Sequence, residues 1–161
     1  MERRSTKNKP ILIAEDDDND LVFLLMAIKE VCLDHPVITV RNGAEAIDYL
    51  AGEGAYCDRA HCPFPLLLLL DIKMPMRDGF DVLAWCQRIA RPEDLPIIVL
   101  SGSDLPQDIE AARSLGAAAY RVKSSDYRST VELARELRDV WLASPVADHP
   151  GISPEFFRAV A

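Results

Sequence analysis

Residues 66–70 are five consecutive leucines, and they run straight into Asp71. A Met-Pro pair at 74–75 and an Asp-Gly pair at 78–79 follow at once. An apolar run this short and dense, bounded by turn residues, reads as a strand buried on both faces, the environment of a central strand in a parallel sheet. Asp71 stands where that strand ends. The chain places a carboxylate at the end of its most hydrophobic segment.

The rest of the sequence alternates strand and helix signals. Residues 11–14 are a short apolar run that ends in Glu15 and Asp16. Leu21, Leu24, Leu25, Ile28 and Val31 then recur at helical spacing, with Asp17 or Asp18 positioned to cap the helix. The β-branched stretch 37–40 reads as a second strand, and a helix from about Ala44 sets Ala46, Ile47 and Leu50 on one face. Residues 52–65 carry glycine and proline punctuation and read as a loop. After the leucine strand, a helix from about Gly79 to Ile89 is built on Phe80, Leu83 and Ala84. A fourth strand at 97–100 leads to a helix with Pro106 near its start and Gly116 past its end. The stretch AAYRVK is a fifth strand, and 127–142 is a final helix.

Five strands alternating with five helices imply an α/β domain: an open five-stranded parallel sheet with helices on both faces. The domain is expected over 9–142, after an N-terminal extension (1–8) and before a proline-punctuated C-terminal tail (143–161) with one helical turn near Phe156. The formal net charge of −8 argues against a nucleic-acid binder, which needs clustered Lys and Arg. The leucine run is too short to span a membrane, and the first ten residues lack the apolar core of a secretory signal. A cytoplasmic protein is expected. Cys57, His61 and Cys62 lie in CDRAHC, but no second ligand pair accompanies them, so an exposed loop is favoured over a zinc site. Cys32 and Cys86 fall in apolar helical patterns and read as small core residues.

In such sheets ligands bind outside the carboxyl ends of the strands. Glu15 and Asp16 follow the first strand, Asp71 ends the third, Ser101 follows the fourth and Lys123 ends the fifth. Each has an ordinary reading alone, as a cap, a turn or a solvated charge. Their convergence on one edge is what carries chemistry. Grouped carboxylates with no imidazole or thiolate beside them favour a hard cation with oxygen ligands, and Mg2+ fits. A carboxylate so supported can act as a nucleophile and form an aspartyl phosphate. Lys123 and the Ser101 hydroxyl would stabilise the transferring phosphoryl group, with Gly102 leaving room for a donor.

These residues, in this order, resemble the receiver domain of two-component response regulators. The likeness rests on ILIAEDD, LLLLDIKMPMRDGFDVL, IIVLSGS and AYRVK, and covers about residues 9–142. It implies a (βα)5 flavodoxin-like receiver fold, with Asp71 phosphorylated by a histidine kinase. It further implies that Glu15, Asp16, Asp71 and the Lys73 backbone carbonyl hold Mg2+, and that Ser101 and Tyr120 form a switch. The 52–65 loop, VKSS and the helix ending in VWL resemble the stand-alone receivers that pair with bacterial phytochromes and related sensor kinases. One departure is that Ser124, not proline, follows Lys123, so the cis peptide common after this lysine is not expected.

Too few residues follow Leu142 for an output module, so signalling by protein contacts or onward phosphotransfer is expected. The partner would be a sensor histidine kinase, such as a bacteriophytochrome, or a phosphotransfer protein. The chain would be a phosphoacceptor that assists its own phosphotransfer and dephosphorylation rather than an enzyme. A phosphorylation-independent scaffold is the alternative, though it would have no need of the acidic set and Lys123. A phosphohydrolase would want an acid two residues after Asp71, where Lys73 stands. The apolar positions of 127–142 spread over roughly 200°, wider than the ~100° stripe that packing on one sheet needs. A homodimer through Leu133, Leu137, Val140 and Trp141 is therefore expected, with a separate kinase-facing surface near the first helix.

Overall fold

The computed structural model describes residues 8–31, 33–89, 95–143 and 157. Five strands, β1 (Ile11–Ala14), β2 (Val37–Val40), β3 (Leu67–Asp71), β4 (Ile97–Ser101) and β5 (Ala119–Val122), form one parallel sheet in the order β2-β1-β3-β4-β5. Helices α1 (Asp18–Glu30), α2 (Gly43–Ala51), α3 (Gly79–Arg88), α4 (Pro106–Ser114) and α5 (Tyr127–Glu136) connect or follow them. A five-residue π-helical turn, Leu137–Trp141, extends α5. No cis peptide occurs among the described residues.

The leucine run takes the central strand because its alternate side chains serve two cores. Leu68 and Leu70 pack among residues of α2 and α3, together with Ala112 of α4. Leu67 and Leu69 point the other way, into a cluster built with α1 and α5. All four are fully buried, and each such leucine contributes about 1.5–3 kcal/mol through area removed from water. The mount under Asp71 is thus fixed from both faces.

Several details differ from the sequence expectations. The buried positions of α3 are Gly79, Val82, Leu83 and Cys86, whereas Phe80 and Ala84 are half-buried. Leu137 and Trp141, expected on a dimer surface, are buried with Val131 and Ala134, so one face of the final helix covers the sheet. Leu133 and Val140 are half-buried against the same cluster. The wide apolar arc is explained by two packing partners rather than one. Alongside the sheet, α5 meets α1: the Tyr127 ring meets Phe23 at a tilt, with centroids 6.0 Å apart, and its hydroxyl donates to Glu30 at 2.8 Å, while Arg138 donates to the Val31 carbonyl at 3.0 Å.

The 52–65 loop is held from within. Arg59 donates to the carbonyls of Tyr49 and Leu50 at the end of α2, each at 2.7 Å, and to Cys62 at 3.1 Å. His61 bonds Asp58 at 2.6 Å, and Cys57, His61 and Cys62 do not converge into a metal cluster. Cys86 is a buried core thiol as expected, while Cys32 and Phe156 lie outside the described residues. Phe157 is described: it is 8% exposed, packs against the α2–α4 core and lies under the Arg113 guanidinium.

Candidate phosphoacceptor site

From β1 the chain passes to β2 on one side, and from β3 to β4 on the other. The crevice between the ends of β1 and β3 is therefore the switch point of the sheet, where ligands bind in folds of this kind. Glu15 and Asp71 flank it, both buried. Asp16 is exposed beside them. Glycine sets the depth of the site, because a Cβ on Gly79 would collide with the Asp71 carbonyl oxygen and the Ile72 Cα. That close approach lets the Gly79 amide donate to the Ile72 carbonyl at 2.8 Å as α3 begins. Met76, in the turn between, has φ +66° and is 80% exposed. The Arg77 amide donates across it to the Pro75 carbonyl at 2.8 Å. A left-handed non-glycine residue costs of order 1–3 kcal/mol, and such strain clusters at functional sites.

Lys123, just after β5, reaches across the strand ends. Its Nζ donates to Glu15 Oε2 at 2.6 Å, Asp20 Oδ2 at 2.8 Å and Asp71 Oδ2 at 2.9 Å. Burial pulls this ammonium's pKa down, but the bonds to Asp20, Glu15 and Asp71 outweigh that and hold it above the ordinary lysine range. Burial pushes the Glu15 carboxyl up to about 7, with nearby Asp71 adding to the rise, against the opposing bonds from Lys123 and the Asp17 amide.

One oxygen from each of Glu15, Asp16 and Asp71 lies within 4.8 Å of the others. An all-oxygen donor set suits a hard divalent cation, which would also offset the burial and repulsion acting on Glu15. The residues fit the metal that the sequence implies. The Lys73 amide donates to Asp71 Oδ1 at 3.3 Å, which brings that residue's backbone beside the carboxylate.

Ser101 is the last residue of β4 and fully buried, and its Oγ accepts from the Ser103 amide at 3.1 Å. Tyr120 points inward and donates from its hydroxyl to the Ser103 carbonyl at 2.8 Å. Burial raises the Tyr120 phenol above its ordinary range, and its hydrogen bonds with Ser101 and Ser103 partly offset that. The structure thus brings Glu15, Asp16, Asp71 and Lys123 together and sets Ser101 and Tyr120 in one adjoining network. The sequence missed Asp20. Of the acids that open α1, Asp17 is the cap, accepting from the Asn19 and Asp20 amides at 2.9 Å each. Asp18 pairs with Arg41, and Asp20 turns to Lys123. Only the fold reveals that a residue 103 positions away in the chain is its partner.

The profile of the response regulator receiver domain matches residues 11–135. The chain belongs to this family. As a receiver it is similar to the response regulator Rcp1 of Synechocystis sp., with 30% identity over 88% of this chain and 95% of that protein. Its fold matches the phosphorylated cyanobacterial phytochrome response regulator RcpA at 32% identity and a TM-score of 0.77, over 84% of this chain and 95% of the other. It also matches the Mn(2+)-bound form of Rcp1 at 29% identity and a TM-score of 0.74, over 84% and 96%. Among the described residues, no helix is long and apolar enough to cross a membrane.

Proposed function

We propose that this receiver accepts a phosphoryl group on Asp71 from a phytochrome-type sensor histidine kinase or a phosphotransfer protein, with Mg2+ held by Glu15, Asp16, Asp71 and the Lys73 carbonyl. The observation that carries this is the Lys123 ammonium bonded to both Glu15 and Asp71, which joins the ends of three strands around one carboxylate. When bound, the cation would neutralise charge between the carboxylates and the incoming phosphoryl oxygens. Lys123 would exchange part of its carboxylate contacts for a phosphoryl oxygen, and the Ser101 hydroxyl would meet another. Both relatives named above that carry a phytochrome or metal description support the choice of partner and cation class.

Two surfaces serve the exchange of signal. Val22, Phe23 and Met26 leave an exposed apolar strip on α1, next to a cleft of about 600 Å³ between α1, β5 and α5 that opens on Glu15, Asp20 and Lys123. That strip is proposed as the kinase-facing surface. A homodimer through the final helix could use Leu133 and Val140 but not the buried Leu137 and Trp141.

The test is intact-mass analysis after incubation with acetyl phosphate and Mg2+. The wild type is expected to gain one phosphoryl mass and Asp71→Asn to gain none. An equal adduct on the Asn variant would overturn the assignment.

A further inference from the structure

The register of the sheet sets Val40 beside Ala14, so Arg41 stands level with the acids that follow β1. Its guanidinium donates to the Asp16 carbonyl at 3.0 Å and also pairs with the Asp18 carboxylate. The next amide in the chain, that of Asp17, donates to Glu15 Oε1 at 3.0 Å. The Asp16 carbonyl and the Asp17 amide belong to one planar peptide unit. That unit is therefore gripped at both ends, by Arg41 on one side and Glu15 on the other. Its orientation sets where the Asp16 carboxylate can reach.

Arg41 can grip because its own backbone is fixed. Its amide donates to Glu45 Oε2 at 2.9 Å, and the buried Asn42 caps α2 by accepting from the Glu45 amide at 2.8 Å. The Gly43 amide donates to the Arg77 carbonyl at 3.0 Å, and a Cβ on Gly43 would collide with that carbonyl. Residues 41–45 thus hold the segment after β1 and the segment after β3, which flank the acidic trio, and supply no carboxylate to it. A guanidinium offers five donors in a planar fork, so one side chain serves a carbonyl and a carboxylate together.

We propose that Arg41 is a positioning residue for the cation site, holding the Asp16 peptide so that its carboxylate stays with those of Glu15 and Asp71. This rests on the reading of Asp16 as a cation ligand. Asp16 is exposed and lies in a run of acids, AEDDDND, whose mutual repulsion favours spreading of the loop. The bond to the Asp16 carbonyl resists that spreading before any cation arrives. Two effects of Arg41 oppose each other in sign. As a nearby positive charge it weakens cation binding, whereas as a clamp it strengthens it. Water and salt screen the charge at this half-exposed position, so the clamp outweighs it. The pair with Asp18 sits in solvent, with that side chain 88% exposed, and contributes little. The clamp works through the carbonyl.

The experiment titrates Mg2+ calorimetrically into the full-chain wild type, Arg41→Met, Arg41→Lys, Asp18→Asn, Asp16→Asn and the double variant of Arg41→Met with Asp16→Asn. Amide NMR of the metal-free proteins follows Asp17. Arg41→Met is expected to bind Mg2+ about tenfold more weakly, the low end for losing a group that orients a metal ligand. Arg41→Lys, with a charge and a donor restored, should bind more tightly than Arg41→Met. A charge effect alone predicts the reverse of both results. Asp18→Asn should stay within about twofold of wild type. On the Asp16→Asn background, Arg41→Met should cost little more, because both changes act through one peptide. The Asp17 amide resonance should move in metal-free Arg41→Met. Undiminished Mg2+ binding by Arg41→Met, no gain in Arg41→Lys over it, or an unmoved Asp17 amide would overturn the proposal. So would an equal loss in Asp18→Asn, or a loss in Arg41→Met that persists in full without Asp16. If Arg41→Met does not fold, the shorter and uncharged Arg41→Gln takes its place in every comparison. Absence of Mg2+ binding by the wild type, or wild-type binding by Asp16→Asn, would instead sink the ligand reading, and the Asp17 amide would still report whether the clamp exists.

Discussion

Lys123 Nζ lies 2.9 Å from Asp71 Oδ2 and 2.6 Å from Glu15 Oε2, so one ammonium is shared between the proposed nucleophile and a proposed metal ligand. A cation entering among Glu15, Asp16 and Asp71 meets this positive charge already in place. Lys123→Met should therefore separate two functions that the wild type combines. Cation binding should strengthen, because a repelling charge has gone and the carboxylates are less neutralised. Phosphoryl acceptance should fall by about a hundredfold or more, since a donor to the transferring group is lost. Calorimetric Mg2+ titration and the mass assay read the two effects. Weaker metal binding in the variant would show that Lys123 organises the carboxylates rather than competing with the ion.

The acids that open α1 should differ sharply in their effect on metal binding. Asp16 belongs to the oxygen trio, whereas Asp18 is engaged by Arg41 and Asp20 by Lys123. Asp16→Asn is expected to weaken Mg2+ binding by about tenfold or more, the scale of one lost ligating charge. Asp18→Asn should change it little. Asp20→Asn frees Lys123 to lean further on Glu15 and Asp71, so a small loss is expected there. Three equal losses on titration would refute this ordering.

Gly79→Ala tests the close packing beneath the acceptor. The added methyl group would meet the backbone at Asp71 and Ile72, and neither can swing away as a flexible side chain would. A loss of about 1–3 kcal/mol in urea unfolding is expected, the usual cost of overpacking. Acceptance should fall with it, because the displaced segment carries Asp71. Wild-type stability in this variant would mean that α3 can shift at no cost.

Some of this was legible in the sequence, for reasons that particular residues make plain. The strands were readable because ILIA, VITV and the leucine run are dense and apolar, and their ends place polar groups on one edge by topology alone. The final helix was harder. Its wide apolar arc suggests an outward dimer strip, but a helical wheel cannot count how many neighbours a helix has. Packing on both the sheet and α1 uses most of the arc, with Leu137 and Trp141 inside. Nothing in the sequence around Asp20 marks it out, because its local position fits an ordinary charge at a helix start. Its partner Lys123 becomes visible only when β1 and β5 are brought into one sheet.

The exposed strip on α1 leads to a prediction that distinguishes docking from chemistry. Residues 21–28 are apolar without interruption, although only Leu24, Ala27 and Ile28 are buried. A surface helix that is apolar on nearly all sides normally has a partner on its outer face. Val22, Phe23 and Met26 supply that face here, and Phe23 also lines the cleft that leads to Lys123. Val22→Glu with Met26→Glu places charge on the strip without touching the acidic trio. Acceptance from acetyl phosphate should stay within about twofold of wild type, because surface changes away from packed or bonded groups are mild. Transfer from a phosphorylated phytochrome-type kinase should drop by about tenfold or more, as expected when charge is buried without a partner in an interface. Equal transfer from the kinase to both proteins would remove α1 from the docking surface and direct attention to the exposed, strained Met76 at the other side of the site.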